Sequence, residues 1–188
     1  MGADFNGDDH IDLTVLTQGG TVHGGSRLIA LLGDGSGNFQ LRTPVEVATT
    51  TSLFAVGDVD GDGRTELLLA GARLDGTVVS SFTELFALDN TGWSNRQSLM
   101  FSNHVGSLLI LSLNGDPYAD VVTTERDSTS GVTTLGLYPG GPTGLGARQV
   151  LAAEVDFQSF SHIADLNGDG LLDVVSFDRN SLFLAKPG

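Results

Sequence analysis

The chain contains no cysteine, so neither disulfide bonds nor thiolate metal sites are available to it. It has no Asn-x-Ser/Thr acceptor for N-glycosylation, which favours a bacterial source over a glycosylated eukaryotic surface protein. Its apolar runs, such as residues 28–32 and 108–111, are far shorter than the ~20 residues that a membrane-spanning helix needs. These absences exclude a disulfide scaffold and a helical membrane anchor in this sequence, but the lack of cysteine leaves the compartment open.

Basic residues are also scarce. Nine Lys and Arg stand against 23 Asp and Glu, which gives a formal net charge of −14. Nucleic acids and anionic lipids both require a basic surface on their protein partner. We therefore predict no nucleic-acid partner and no membrane insertion.

A short acidic loop followed by an apolar run occurs four times in the 188 residues, at intervals of 54, 54 and 53 residues. We call these segments loop 1 (residues 4–12), loop 2 (58–66), loop 3 (112–120) and loop 4 (165–173). Oxygen-bearing side chains stand at positions 1, 3, 5 and 9 of every loop, and position 4 is always glycine. Because calcium takes about six to eight oxygen ligands from a tightly curled chain, this spacing predicts a calcium-binding loop in each repeat.

The predicted ligands occupy the same positions in each loop. The side chains are Asp4, Asn6, Asp8 and Asp12 in loop 1; Asp58, Asp60, Asp62 and Glu66 in loop 2; Ser112, Asn114, Asp116 and Asp120 in loop 3; and Asp165, Asn167, Asp169 and Asp173 in loop 4. Position 7 would add a backbone carbonyl, from His10, Arg64, Tyr118 and Leu171 respectively. The imidazole of His10 is therefore expected to be incidental. We expect these ions to be structural, since protein ligands would enclose each of them.

The four loops are not expected to bind calcium equally. Loop 2 carries four carboxylates, loops 1 and 4 carry three each, and loop 3 carries two. A positive φ at position 6 is free for Gly63 and Gly170 and tolerable for Asp9, whereas the ring of Pro117 locks φ near about −65°. The sequence thus predicts up to four calcium ions, with the third site weak, distorted or empty.

Each repeat is predicted to contain four β-strands. Short runs rich in Val and Leu precede and follow the loop, such as residues 66–70 after loop 2. A third run, at residues 83–88 in the second repeat and 181–185 in the fourth, ends in a turn, and a more polar fourth run suits an outer edge. No segment shows a 3.6-residue apolar stripe. The predicted fold is all-β: a β-propeller, or part of one, of about four four-stranded blades with a calcium-binding loop in each. A β-solenoid is the alternative, although its coils are usually shorter.

The predicted blades form a single array and comprise residues 1–48, 49–102, 103–156 and 157–188, the first and last being incomplete. A propeller must close, since otherwise strand edges and apolar faces stay bare. Further blades from a longer chain, pairing of two copies into eight blades, or closure of four blades alone would each satisfy this. We favour the first, because both termini fall within a blade. No signal peptide precedes loop 1, so either an export signal was removed or the chain was excised from something larger.

Two loops carry the most specific motifs: FAVGDVDGDG at residues 54–63 with ELLL at 66–69, and IADLNGDG at 163–170 with DVV at 173–175. Residues 31–39 look like the turn that usually follows the third strand in such repeats. In these motifs the chain resembles the FG-GAP and VCBS repeats, which form the propellers of integrin α-subunits, certain fungal lectins and many secreted bacterial proteins. The resemblance covers essentially all of the chain and implies calcium-loaded blades. It leaves the ligand open, because the family spans adhesion, lectin and enzyme-attached modules.

No catalytic motif accompanies the loops: there is no Gly-x-Ser-x-Gly elbow, His-Glu-x-x-His or P-loop, and the four histidines share no motif. We predict a non-enzymatic binding or scaffold module for protein or glycan. We expect it in an exported protein, because calcium loops of modest affinity fill best outside the cell. The alternatives are a carbohydrate-binding lectin and an accessory domain of a larger secreted enzyme or toxin. Trp93 is then either a platform for a sugar ring or an aromatic that caps a blade edge.

Overall fold

The computed structural model describes residues 1–17, 26–47, 50–75, 78–101, 103–155, 162–168 and 173–175. These residues form β-strands joined by turns and loops, and none of them is helical. No helix long and apolar enough to cross a bilayer was found in this part of the chain. The all-β fold class predicted from the sequence is therefore confirmed.

Within the described ranges the strands form four separate antiparallel sheets, each following the order of the sequence. The first sheet holds β1 (Gly2–Ala3), β2 (Asp12–Thr17), β3 (Ser26–Gly33), β4 (Phe39–Leu41) and β5 (Val45–Val47). The second holds β6 (Thr50–Gly57), β7 (Glu66–Asp75), β8 (Val78–Asp89) and β9 (Gly92–Phe101). The third holds β10 (His104–Leu111), β11 (Asp120–Arg126), β12 (Thr133–Tyr138) and β13 (Gln149–Val155). The fourth pairs β14 (His162–Ala164) with β15 (Asp173–Val175).

Two strand predictions need comment. The polar fourth strand of the first repeat is split, since β4 and β5 both pair with β3 and Pro44, which has no N–H to donate, lies between them. The strand predicted at residues 181–185 lies outside the described residues. In the other sheets each loop follows one strand and leads directly into the next, as the sequence predicted.

The β7–β8 hairpin is longer than predicted. The sequence indicated strands at residues 66–70 and 83–88, whereas the ladder continues from Leu67 opposite Phe86 to Asp75 opposite Val78. The extension, residues 71–75 and 78–82, is half apolar, but Gly, Ser, Arg and Asp interrupt its apolar residues, so it lacks the continuous apolar run by which the strands were recognised. Its backbone hydrogen bonds do not depend on that composition.

By contact density the described chain divides into two compact units. Unit 1 comprises Met1–Asp58 and Asp62–Met100, and unit 2 comprises Val59–Gly61 and Phe101–Gly188. In unit 1 the apolar faces of the first two sheets share one core, with Leu28, Leu32 and Val47 on one side and Leu67, Leu69, Phe86 and Leu88 on the other. The core of unit 2 contains Leu111, Leu113, Val122 and Leu135.

Trp93 belongs to the core of unit 1. It is the second residue of β9, only 4% of its surface is exposed, and its ring meets that of Phe5 edge to face at a centroid distance of 5.1 Å. A buried indole cannot serve as an exposed platform for a sugar. That use of Trp93 is therefore excluded, and the side chain instead fixes the start of loop 1 to the core through Phe5.

A buried polar cluster crosses the third sheet. The Glu125 carboxylate, 2% exposed, accepts hydrogen bonds from Thr123 Oγ1 at 2.8 Å and from the Tyr138 hydroxyl at 3.1 Å, and it pairs with Arg148 Nε at 2.9 Å. A Cβ at Gly136 would lie 2.6 Å from Glu125 Oε1, so a glycine is needed to make room. We call these four partners, Thr123, Glu125, Tyr138 and Arg148, the Glu125 cluster.

Two glycines allow a close approach of backbone segments beside the loops. A Cβ at Gly33 would overlap the carbonyl oxygen of Ile11, and one at Gly140 would overlap that of Ala119 and lie 2.8 Å from that of Val59. Ile11 and Ala119 both stand at position 8 of their loops. Neither glycine has a positive φ, so the requirement is one of space rather than of backbone conformation.

We expect Gly140→Ala to destabilise the protein by about 1–3 kcal/mol, because the added methyl group forces apart closely packed backbone. Gly141→Ala is the matched control, since among the described residues its Cβ would meet nothing closer than the Gly144 carbonyl at 3.7 Å. Urea denaturation of the two variants measures the difference. Equal stabilities would show that the carbonyl groups of Ala119 and Val59 do not pack tightly against Gly140.

The Glu125 cluster predicts a loss of stability in alkaline solution. The pKa of Tyr138 is raised because burial disfavours the phenolate and because the Glu125 carboxylate repels it and accepts its hydrogen bond. Above about pH 10 the unfolded tyrosine loses its proton while the folded one keeps it, so the free energy of unfolding falls by up to about 1.4 kcal/mol per pH unit. Urea denaturation between pH 8 and pH 11 measures this slope.

The slope should vanish in Tyr138→Phe, which has no phenol to ionise. Tyr118→Phe is the control, because it removes the other tyrosine and leaves the Glu125 cluster intact. A single lysine in the sequence keeps other titrations in this range few. An unchanged slope in Tyr138→Phe would rule out Tyr138 as its source.

Candidate metal centre

The four loops share a left-handed backbone conformation at position 4. Gly7, Gly61, Gly115 and Gly168 have φ values of 79°, 74°, 74° and 78°, a region that side chains other than glycine rarely adopt. At position 6, Asp9 and Gly63 also have positive φ, at 64° and 84°, whereas Pro117 does not. Gly170 lies outside the described residues. Loop 3 therefore departs from loops 1 and 2 at the residue where the sequence predicted a departure.

Carboxylates at positions 1 and 5 hold the loop in shape. Asp4 accepts backbone N–H groups of Gly7 at 2.8 Å and Asp9 at 2.9 Å. The equivalent carboxylates, Asp58 and Asp165, accept from Gly63 at 3.0 Å and Gly168 at 2.6 Å. Position 5 accepts the N–H of position 7 in three loops, at 2.9 Å each, the pairs being Asp8–His10, Asp62–Arg64 and Asp116–Tyr118. In loop 3, Ser112 replaces the first carboxylate and donates to the Asp116 carbonyl at 3.5 Å.

The acid at position 9 is buried in every loop: Asp12, Glu66, Asp120 and Asp173 are at most 2% exposed. One oxygen of each aspartate accepts the N–H of position 2, from Phe5 at 3.1 Å, Leu113 at 3.1 Å and Leu166 at 2.9 Å. The other oxygens of Asp12 and Asp120 accept the N–H of Gly33 and Gly140, at 3.0 Å each. In loops 1 and 3 the acid thus joins the loop to the end of the third strand, a role that the sequence interpretation missed.

A sequence signal for this tie exists. Extending the strand registers places Gly33 opposite position 8 of loop 1 and Gly140 opposite position 8 of loop 3. The equivalent residue in the second repeat is Leu88, and there position 9 is the longer Glu66. A glutamate reaches one methylene further than an aspartate, so it tolerates a residue with a side chain at the facing position. Aspartate followed about 20 residues later by glycine is therefore the readable pattern.

The Asp120 carboxylate, at position 9 of loop 3, is held in an environment that disfavours its negative charge. Burial raises the pKa of Asp120, hydrogen bonds from the Gly140 and Leu113 amides oppose that rise, and the charge of Asp116 adds to it. By contrast, the pKa of the exposed Asp8 is lowered, chiefly by the hydrogen bond from the Asn6 side chain. A buried carboxylate facing other carboxylates is a setting that a cation relieves.

Loop 2 brings three predicted ligands together. Carboxylate oxygens of Asp58, Asp60 and Glu66 all lie within 4.8 Å of one another, with Glu66 buried and the two aspartates half-buried. Calcium–oxygen distances of ~2.3–2.6 Å allow ligands on opposite sides of the ion to stand about 5 Å apart. The donor set therefore fits calcium in both chemistry and spacing. In the part of the chain that the structure describes, no other group of three acids or histidines converges so closely.

The remaining predicted ligands are placed as follows. Position 3 of loops 1 and 3 lies beside position 5, with Asn6 Nδ2 3.0 Å from Asp8 Oδ2 and Asn114 Nδ2 2.7 Å from Asp116 Oδ2. The His10 imidazole packs on the next turn, where a Cβ at Gly35 would lie 2.9 Å from its Cε1. Asp169 and Leu171 lie outside the described residues.

A cavity of about 350 Å³ adjoins loop 1. Its wall combines loop 1, the end of β3, the turn after it and β4, with these lining residues: Asn6, Asp8, Leu32, Gly33, Asp34, Asn38, Phe39, Gln40, Arg42 and Asn90. The Phe39 side chain is 44% exposed. Arg42 Nε is buried and has no hydrogen-bond partner among the described residues. The sequence interpretation did not foresee this cavity, since its residues come from separate segments.

Comparison with known proteins supports the repeat assignment. A solved structure of a rhamnogalacturonan lyase from Bacillus licheniformis aligns with 92% of this chain at a TM-score of 0.57 and 15% sequence identity. The chain spans 38% of the length of that lyase, and at this identity the likeness concerns the fold alone. A search of curated proteins gives no match. The family model of the FG-GAP-like repeat matches residues 4–69, which confirms the FG-GAP resemblance and assigns loops 1 and 2 to an FG-GAP-like repeat.

Proposed function

We propose that this chain is a calcium-stabilised, non-catalytic binding or scaffold module. The observation that carries the proposal is the convergence of Asp58, Asp60 and Glu66 in a loop that matches the FG-GAP-like repeat. A cation there joins the start of the loop to the buried acid at its end. It thereby fixes the entry to β7 and neutralises carboxylates that otherwise repel one another.

The other loops are proposed to bind calcium in the same way, giving up to four ions. Loop 1 supplies the same backbone form, including the positive φ at Asp9. Loop 3 remains the weakest site, because Ser112 and Pro117 deprive it of a carboxylate and of the backbone conformation found in loops 1 and 2. These ions would offset part of the net charge of −14.

We further propose that each sheet is one blade of a β-propeller. Consecutive antiparallel sheets, an apolar core shared by the first two, and inner strands buried on both faces at residues 67–70 and 120–125 all suit stacked blades. Further blades from a longer chain would complete the ring. Since extracellular calcium is about millimolar, such a module suits an exported protein with a protein or glycan ligand.

Calcium should raise the melting temperature and a chelator should lower it. With calcium at about 100 times the dissociation constant, one occupied site stabilises the fold by about 2.7 kcal/mol, or roughly 5–10 °C for a chain of this size. Differential scanning calorimetry in calcium and in chelator measures the shift, and isothermal titration counts the sites. Identical melting curves with no heat of binding would refute the calcium proposal.

A matched pair of variants locates the effect in loop 2. Glu66→Gln should reduce the calcium-dependent shift, because it removes the buried charge of the Asp58–Asp60–Glu66 group. Glu46→Gln makes the same chemical change at an exposed side chain that pairs with Arg27, and it should leave the shift intact. A calcium response equally reduced in both variants would contradict a specific site.

Carbohydrate is the second candidate ligand, and the cavity beside loop 1 is the observation that favours it. Its volume of about 350 Å³ falls in the range of small-molecule sites, and its wall offers carboxylates, amides and the Arg42 guanidinium, whose Nε has no hydrogen-bond partner among the described residues. The partly exposed ring of Phe39 provides an apolar face of the kind on which a sugar ring stacks.

Saturation-transfer NMR with a panel of neutral methyl glycosides tests this candidate. If one of them binds, Phe39→Ala should abolish the transfer, because the stacking surface is lost. Phe54→Ala is the control, since Phe54 is 54% exposed and does not line the cavity. Absence of transfer from every glycoside to the wild-type protein would remove carbohydrate as a candidate.

A further inference from the structure

Loops 1 and 2, and likewise loops 2 and 3, touch through the same two positions. A Cβ at Gly7, position 4 of loop 1, would lie 3.1 Å from Cγ of Arg64, position 7 of loop 2. A Cβ at Gly61, position 4 of loop 2, would lie 2.7 Å from Cε1 and 2.9 Å from Cδ1 of Tyr118, position 7 of loop 3. In both pairs the side chain of one loop therefore covers the glycine of the loop before it.

The third repeat also contacts loop 2 through a backbone hydrogen bond. The N–H of Gly141, in the turn after β12, donates to the Val59 carbonyl of loop 2 at 3.0 Å. Gly168 of loop 4 provides a contrast. Its φ of 78° is close to the 74° of Gly61, but no described atom lies within 4 Å of a Cβ placed on Gly168. The glycine conformation thus belongs to the loop itself, whereas the cover over it comes from the next loop.

This contact acts on the part of the loop that carries the ligands. Gly61 stands between Asp60 and Asp62, so a ring packed on it restricts the backbone that aims both carboxylates. Tyr118 also has a second attachment, because its N–H donates to Asp116 and its carbonyl is a predicted ligand in loop 3. Ordering of loop 3 therefore fixes the ring that lies on loop 2. A binding site that is ordered in advance loses less conformational entropy on binding.

We propose that Tyr118 is a positioning residue for the cation site of loop 2, so that calcium in loop 3 raises the calcium affinity of loop 2. Coupling of this kind is reciprocal, and occupancy of loop 2 raises the affinity of loop 3, whose own ligand set is the poorest. Arg64 positions loop 1 in the same manner. The inference rests on the calcium binding proposed above.

Calcium titration of the ¹⁵N-labelled chain, followed at the amides of Gly61 and Gly115, tests the coupling loop by loop. Tyr118→Ala should weaken calcium binding at Gly61 by about fivefold or more, the lower end of ordinary coupling between sites. Tyr118→Phe keeps the ring carbons that contact Gly61 and should restore wild-type affinity. A purely structural loss would instead lower the melting temperature without moving the Gly61 titration.

A second variant removes calcium from loop 3 and leaves the tyrosine in place. Asp116→Asn should weaken binding at Gly61 in the wild-type background but have no further effect in Tyr118→Ala, because both changes break the same link. Asp127→Asn is the control: it makes the same substitution at an aspartate outside the loops, whose carboxylate accepts the N–H groups of Thr129 and Ser130.

The outcomes separate the two proposals. If the wild-type Gly61 amide does not respond to calcium, the calcium function itself fails. If it responds but Tyr118→Ala and Asp116→Asn titrate as the wild type does, only the coupling is overturned. Should Tyr118→Ala fail to fold, Asp116→Asn decides alone, since an unchanged Gly61 titration in that variant contradicts the coupling.

Discussion

The buried carboxylate at position 9 is the group on which each loop depends. Asp12 and Asp120 each join the amide of position 2 to the amide of a glycine at the end of the third strand, so one side chain links three backbone segments. The same burial makes the negative charge unfavourable unless amides or a cation compensate it. The interaction that shapes the loop is therefore also the reason why the loop suits a cation.

In loops 1, 2 and 3, position 2 carries the complementary constraint. Phe5, Val59 and Leu113 are almost completely buried, although the residues on either side of each are predicted ligands. Because successive side chains in an extended segment point to opposite sides, an apolar residue in the core turns its neighbours towards the ion. Phe5 contacts Trp93 of the second sheet, so the ligands of loop 1 are positioned by the packing of unit 1.

Glycine serves three separate purposes around these loops. Gly61 adopts a positive φ, Gly140 admits the backbone of Ala119 at close range, and Gly136 leaves room for the Glu125 carboxylate. Only the first purpose could be read from the loop motif, because it is local. The other two depend on segments that approach from elsewhere in the chain, and a single sequence gives no direct record of such neighbours.

The sequence by itself determined the all-β class, the position of the strands beside each loop, the glycine at position 4 and the exceptional loop 3, because each follows from local spacing and residue type. Tertiary structure alone decided the burial of Trp93, the extended β7–β8 hairpin, the cavity beside Phe39 and the tie from Asp120 to Gly140. It also decided that Tyr118 lies on Gly61, 57 positions earlier in the sequence. The physical reason is distance along the chain: backbone pairing and side-chain contact join residues whose local sequences carry no mark of each other.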